Sequence, residues 1–408
     1  MMTTQIPTAF LVGGTRTPVG RYGGALSSIR PDDLAALTIR RVIDESGLDP
    51  AMVDEVILGN ANGAGEENRN VARMAWLLAG LPDTVPGVTV NRLCASGMSA
   101  VMMASYMVKA GVADVIVAGG VESMSRAPWV LEKPGKAFAK PGDIVDTSIG
   151  WRFVNPRFQD PSHFSEKFTF SMPETAEEVA RVEGITREDA DEFAVRSHAN
   201  ALAAIEAGRL AEEITPVAVT GRKGESHIVD TDEGPRPGTT REVLAGLRPV
   251  VAGGSVVTAG NSSSLNDGAS AIIVASERAI EKYGLTPRAR IVDSAAAALA
   301  PEIMGLGPVP ATQRVLERTG WSIGELGAVE LNEAFATQSI GSIRRLGLDE
   351  SIVNRDGGAI ALGHPLGSSG SRILVTLLRR MEQEEAARGL ATMCVGVGQG
   401  TAMLLERV

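Results

Sequence analysis

The chain has 408 residues, 44% hydrophobic and 22% charged, enough to bury more than one core. Forty-nine acidic against 39 basic residues leave a formal charge of −10, with Lys and Arg scattered. That argues against a nucleic-acid partner, which needs a concentrated positive surface.

Cys94 and Cys394 are the only two cysteines, too few for a disulfide framework, so a reducing, cytoplasmic setting is expected. The first ten residues lack the basic start and apolar run of a signal peptide. No apolar stretch reaches membrane-spanning length, and no membrane partner is expected.

Residues 53–60 read as a short buried strand ending at a Gly-Asn corner. Cys94-Ala-Ser-Gly97 opens a helix over 96–109 that is apolar nearly all round, so it should be buried between layers. Residues 114–120 read as a central strand running into glycines. From 125 to 258 the pattern changes to Pro-rich turns, helical stretches at 173–183 and 187–207, and a charged loop at 222–241. This stretch is expected to be an inserted lid or loop domain. Beyond it the first pattern returns: residues 328–332 repeat the strand, Pro365-Leu-Gly-Ser-Ser-Gly370 opens another helix, and 391–396 repeat the central strand. An offset of 273 residues relates Gly59 to Asn332 and also Gly97 to Gly370. Two duplicated α/β units follow from that repeat.

Cys94 lies where unpaired N–H groups and the helix macrodipole favour an anion, which would lower a thiol pKa and make a nucleophile. The competing reading is a small buried hydrophobe. His364 sits among glycines in Gly357-Gly-Ala-Ile-Ala-Leu-Gly-His-Pro-Leu-Gly-Ser-Ser-Gly370 and is a candidate base, against a structural histidine. His163, His198 and His227 lack such surroundings and are expected on the surface. Cys394 precedes Gly396, Gly398 and Gly400, where a backbone N–H could face a reacting oxygen. A dinucleotide fingerprint there fails, because only eight residues follow Gly400. Neither a zinc spacing nor a P-loop occurs.

Six segments, taken together and in order, resemble a thiolase: Asn91-Arg-Leu-Cys-Ala-Ser-Gly97, Gly119-Gly-Val-Glu-Ser-Met-Ser125, Thr258-Ala-Gly-Asn-Ser-Ser-Ser-Leu-Asn-Asp-Gly268, Asn332-Glu-Ala-Phe-Ala336, and the His364 and Cys394 segments. The resemblance implies a duplicated α/β fold in five layers, αβαβα, with residues 1–124 as the N-terminal half and 125–258 as an inserted loop domain covering the CoA and acyl pocket. Residues 259–286 then return to the first half, and 287–408 form the second.

It also implies that Cys94 is acylated, that His364 activates it, and that Cys394 moves the α-carbon proton. Asn332 would hold a water at the enolate oxygen, and the N–H groups of Cys94 and Gly396 would hold the other oxyanion. Ser263 would lie near the pantetheine and Arg236 near the CoA nucleotide. Coenzyme A and a 3-oxoacyl-CoA are then substrates, with no separate cofactor or metal, and a homodimer or homotetramer is expected.

The passages Gly65-Glu-Glu-Asn-Arg-Asn-Val-Ala-Arg-Met74 and Asp146-Thr-Ser-Ile-Gly-Trp-Arg-Phe-Val-Asn-Pro156 are most similar to the β-ketoadipyl-CoA (3-oxoadipyl-CoA) thiolases of aromatic-acid catabolism. So is Ser171-Met-Pro-Glu-Thr-Ala-Glu177, which stands where many acetoacetyl-CoA thiolases have a His-Met pair. The segment 157–170 departs from that subgroup. On this reading Met172 and Phe335 line the acyl pocket, and Arg152 is the candidate partner of a distal carboxylate, whose burial without a cation or several donors would be costly. Two other readings stand beside it: a general 3-ketoacyl-CoA thiolase or acetyl-CoA acetyltransferase, and an inactive thiolase-like CoA- or lipid-binding protein. A condensing ketoacyl synthase would leave Cys394 without a role.

Overall fold

Strands buried along nearly their whole length can exist only with layers on both faces, and helices supply those layers here. The computed structural model describes residues 7–162, 167–221 and 224–408; His163, Arg222 and Lys223 therefore lie outside the described residues. In chain order the principal elements of the first half are β1 (Ala9–Arg16), α1 (Pro31–Ser46), β2 (Glu55–Gly59), α2 (Val71–Leu78), β3 (Gly87–Val90), α3 (Ser96–Lys109) and β4 (Val115–Ser123). Then come α4 (Met172–Glu183), α5 (Arg187–Glu206) and β5 (Asn266–Ser276). The second half contributes β6 (Ala289–Ala298), α6 (Pro308–Thr319), β7 (Ala328–Leu331), α7 (Ala336–Leu346), α8 (Leu366–Gln383), β8 (Arg388–Val395) and β9 (Gln399–Arg407).

One ten-stranded sheet runs β7-β8-β9-β6-β1-β5-β4-β2-β3, with Gly20–Arg21 attached to β5. The duplication is visible in its register. Strand β2 is parallel to β4 and β4 antiparallel to β5, just as β7 is parallel to β8 and β8 antiparallel to β9. The halves join where β1 meets β6 through only two residue pairs, Phe10 with Arg290 and Leu11 with Ala289.

Three cores separate the layers. Helices α1 and α2 close the outer face of the first half over Ile39, Val56, Trp76 and Val117. Helices α3 and α8 form the middle layer, with Met98, Val101, Ile373, Leu377, Met393 and Met403 packed between the two half-sheets. On the far side, Val315, Ile340 and Leu390 share a core with Ala180, Phe193 and Ala194.

The last grouping refines the expected insertion. Its helices α4 and α5 begin at capping boxes, Ser171 with Glu174 and Thr186 with Asp189. They bury their apolar faces against the second half, while Val217 and Val219 pack on the first. Helices α4 and α5 are thus fastened to one half, and the strand at Val217–Thr220 to the other. Helix α3 also departs from expectation: Met103 and Tyr106 face away from the middle core and are exposed. Among the described residues no helix is long and apolar enough to cross a membrane.

Glycines set the spacing of the middle layer. A Cβ on Gly97 would lie 2.6 Å from Ser371 Oγ and 2.7 Å from the Gly367 carbonyl. One on Gly370 would strike the Met98 backbone, and one on Gly120 the Gly367 carbonyl. Replacing Gly97 by Ala should therefore cost about 1–3 kcal/mol through overpacking. Gly135→Ala, where nothing stands in the way, should change stability by less than about 0.5 kcal/mol. Urea unfolding midpoints of the two variants make the comparison, and equal midpoints would refute it.

Candidate active site

Cys94 is carried on a one-turn 3-10 segment, Leu93–Ala95, that leads into α3. Side chains hold this turn: Asn91 Oδ1 accepts the Leu93 N–H at 2.8 Å, while Ser96 Oγ accepts the Arg92 N–H at 2.9 Å and donates to the Leu93 carbonyl at 2.7 Å. Leu93 is left-handed (φ 47°), as is Val397 (φ 62°) across the site. For a leucine and a β-branched valine that conformation is strained, and strain of this kind collects where a backbone must present a functional group.

His364 follows Gly363 (φ 112°), where any Cβ would run into the Asn266 carboxamide. Asn266 Oδ1 accepts the His364 N–H at 2.9 Å, and Asn266 Nδ2 is anchored on the Gly20 carbonyl at 2.9 Å. The ring is oriented by Ser369, whose Oγ lies 2.6 Å from Nδ1 and donates to the Pro365 carbonyl at 2.9 Å. With the hydroxyl proton on Pro365, Nδ1 carries the imidazole proton and Nε2 is left as a bare acceptor. Nε2 is buried and has no protein partner.

Cys394 ends β8 opposite Gly400 and is 1% exposed. Cys94, His364 and Cys394, which are 270 and 30 residues apart in the chain, line one cavity of about 400 Å³. Met172, Ser263 and Phe335 line it too, and Met172 and Phe335 pack with Cys394 in a small apolar cluster. The backbone N–H groups of Gly396 and of Cys94 itself favour the charged form of the Cys94 thiol. An outer cavity of about 450 Å³ contains Arg236 and shares Ala259 and Ser262–Ser264 with the inner one. A long ligand can thus pass Ser263 on its way in.

Three expectations need correction. The thiol of Cys94 is not acidified: burial pushes it up to about 11, the N–H groups offset this only in part, and the Glu122 carboxylate adds to the rise. Desolvation in an apolar cavity outweighs one turn of helix dipole. Arg152 does not line the inner cavity; its guanidinium turns to the Thr147 carbonyl (3.2 Å) and Asn62 Oδ1 (3.3 Å). His198 is not a surface residue but is 7% exposed, with Nδ1 accepting the Arg236 N–H at 3.2 Å. His227 is exposed.

Asn332 is tied by its backbone to the Thr392 carbonyl at 3.0 Å. Both polar atoms of its side chain are buried without a protein partner, an unusual state for a carboxamide. Ser369, Asn266 and Glu122 were missed as individuals, although each lies within a recognised segment. Glu122 accepts N–H groups of Ala61 (2.8 Å), Asn62 (3.1 Å) and Gly367 (2.9 Å), joining the corner after β2 to the start of α8. No local spacing announces such long-range partners.

Burial and, secondarily, Arg372 hold His364 down to about 3, while burial pushes Cys394 well above the ordinary thiol range. Near neutral pH the site is therefore two thiols and a neutral imidazole. A raised thiol pKa means that thiolate appears only as pH climbs, so inactivation by iodoacetamide should keep accelerating from pH 7 to 10, past the ordinary cysteine value of about 8.5. Peptide mapping should find Cys94 labelled before the more deeply buried Cys394. A plateau below pH 8, or Cys394 labelled first, would contradict this electrostatic picture.

Comparison with known proteins agrees with this architecture. The family model for the thiolase N-terminal domain matches residues 9–278, and that for the thiolase C-terminal domain matches 285–407. The chain is 54% identical over 404 residues to a 3-oxoadipyl-CoA/3-oxo-5,6-dehydrosuberyl-CoA thiolase of Escherichia coli K12, covering 98% of this chain and 99% of the relative. It is 53% identical to a beta-ketoadipyl-CoA thiolase of Pseudomonas aeruginosa, with the same coverage. Among solved structures, the acetyl-CoA acetyltransferase of Bacillus anthracis superposes with a TM-score of 0.92 at 39% identity over 100% of both chains. The human mitochondrial 3-ketoacyl-CoA thiolase gives 0.91 at 36%, over 99% of this chain and 100% of the other. The chain belongs to the thiolase family of acyltransferase enzymes.

Proposed function

We propose that this thiolase cleaves 3-oxoadipyl-CoA with coenzyme A to succinyl-CoA and acetyl-CoA through an acyl-Cys94 intermediate. The observation that carries the chemistry is the meeting of Cys94, His364 and Cys394 in one cavity. The acyl group comes from the names of the relatives, which are similar over nearly the whole chain.

His364 Nε2 takes the Cys94 proton, and the thiolate adds to the 3-keto carbon. Collapse of that adduct breaks the bond between C2 and C3, leaving an acyl thioester on Cys94 and the enolate of acetyl-CoA. Cys394 gives its proton to the enolate carbon and recovers one from the incoming CoA thiol. The CoA thiolate then takes the acyl group, and His364 returns its proton to Cys94. A bare Nε2 beside a neutral thiol suits this exchange, since no charge rests in the apolar site between turnovers. The N–H groups of Cys94 and Gly396 would receive the oxyanion at the thioester, an interaction whose single donors are worth about 10²–10³ in rate. Asn332, with its free carboxamide, would serve the enolate side through a water.

The outer cavity beside Ser263 and Arg236 suits the pantetheine and nucleotide of CoA. A cytoplasmic location belongs to this reading, supported by two unpaired cysteines. So does a homodimer or homotetramer, supported by the half-exposed edge strand β3. One observation favours the second reading, a general 3-ketoacyl-CoA thiolase: among the described residues no Lys or Arg lines the inner cavity. Donors for a distal carboxylate would have to be hydroxyls such as Ser171 and Thr258.

Loss of the Mg-enolate absorbance of a 3-oxoacyl-CoA on adding CoA measures the reaction. kcat/KM should favour 3-oxoadipyl-CoA over uncharged 3-oxohexanoyl-CoA by about tenfold or more, the value of a charge-assisted contact. The opposite preference would replace the dicarboxylate substrate with uncharged ones. Cys394→Ala should lower thiolysis by at least about 10² while Cys94 is still acetylated by acetyl-CoA, as read by intact-protein mass. Loss of that acetylation in a folded variant would assign both thiols to one step.

A further inference from the structure

In a chain that carries ten more negative than positive charges, most arginines are paired. Arg21 and Arg236 are not: no carboxylate forms an ion pair with either among the described residues. They come from remote parts of the chain, Arg21 from the short strand Gly20–Arg21 on β5 and Arg236 from the loop after the hairpin Val217–Thr220/Ser226–Val229. Both line the outer cavity, with His198 of α5. The Nε of Arg21 is buried without a partner and its Nη2 makes a long 3.4 Å reach to the Gly234 carbonyl, while the Glu233 carboxylate beside it is engaged by the backbone N–H groups of Arg21 (2.9 Å) and Ala25 (3.0 Å).

His198 completes the arrangement. Its Nδ1 accepts the Arg236 backbone N–H, so the neutral ring carries its proton on Nε2. Burial, then the charges of Arg236 and Arg21, lower its pKa to about 4. The ring is therefore neutral at working pH and supplies an N–H donor without adding a third positive charge. Two unpaired guanidiniums and one N–H donor around a cavity of about 450 Å³ form a surface for a multiply charged oxyanion, and guanidinium forks match phosphate oxygens.

We infer that Arg21 and His198 join Arg236 in binding a phosphate of the CoA nucleotide, so that this end of the groove selects the nucleotide-bearing thioester over the same acyl group on plain pantetheine. The inference rests on the thiolase reading above, because the ligand reaches the inner cavity past Ser263. It adds Arg21 and His198, the latter expected on the surface from the sequence.

The test uses the intact enzyme and two acyl donors with the same acyl chain, acetoacetyl-CoA and acetoacetyl-pantetheine, with CoA and pantetheine as the matching acceptors. In Arg21→Gln, KM for the CoA pair should rise about ten- to a hundredfold, while kcat/KM for the pantetheine pair should move by less than about twofold. Arg21→Lys should recover part of the loss, because the charge is kept without the fork. His198→Asn should show the same selective loss to a smaller degree.

Repeating the assay with 3′-dephospho-CoA separates the sources. A penalty that persists assigns Arg21 to the diphosphate, and one that vanishes assigns it to the 3′-phosphate; both outcomes sustain the inference. Equal losses for the CoA and pantetheine pairs, or no loss for CoA in a variant with wild-type thermal stability, would overturn it. If the wild type turned over neither pair nor 3-oxoadipyl-CoA, the proposed thiolase activity itself would fail, which is a different result.

Discussion

The contact between α3 and α8 is the constraint on which the rest depends. These helices carry Cys94 and His364 at their N-terminal ends, and they approach so closely that Gly97, Gly370 and Gly367 leave no room for a side chain. Gly120 at the end of β4 extends the same contact by admitting the Gly367 carbonyl. Backbone meeting backbone leaves little freedom for sliding. The thiol and the imidazole therefore face one cavity because two repeated half-folds dock face to face, and each supplies one of these side chains.

That docking has an electrostatic consequence. Between the layers the half-buried Cys94 and the buried Cys394 and His364 are shielded from water, and the cost of desolvation raises both thiols while it lowers the imidazole. Glu122 is subject to the same force, pushed up to about 7 by burial even though three backbone N–H groups serve its carboxylate. The two thiols and the imidazole are neutral in the ground state as a result. On the function proposed above, charge forms only during turnover, where the N–H groups of Cys94 and Gly396 would receive it.

Much of this was legible in the residues. The 273-residue repeat found the two halves because strand burial and helix openings are local patterns, and α3 begins and ends where the apolar run does. The family segments marked Cys94, His364 and Cys394, which the fold brings together in space. What failed was either non-local or a balance of opposing terms. The Cys94 position announced a helix start, but the depth of the cavity above it is a property of the whole molecule. Arg152 stands beside two aromatics in sequence, yet its side chain is held by Thr147 and Asn62, the latter 90 residues away. His198 showed no signal of burial, because its partners Arg236 and Arg21 belong to other segments. Ser369 could be read only as a turn residue until the ring of His364 was seen five residues before it.

The seam at β1 bears on how the protein is made. Strand β1 occupies residues 9–16, and its neighbours are β5, with Ala9 opposite Ser276, and β6 at 289–290. During synthesis an apolar strand, Ala-Phe-Leu-Val-Gly-Gly-Thr-Arg, waits without a partner on either edge until more than 250 further residues have emerged. Contacts of such sequence separation are slow to form, and an unpaired apolar strand is a template for association with other chains. The half-folds can assemble locally around β2 and β4, or β7 and β8, but the strand that welds them into one sheet has no sheet neighbour until β5 and β6 emerge. The long interval before β1 finds its neighbours is set by topology and is unrelated to the chemistry of the finished cavity.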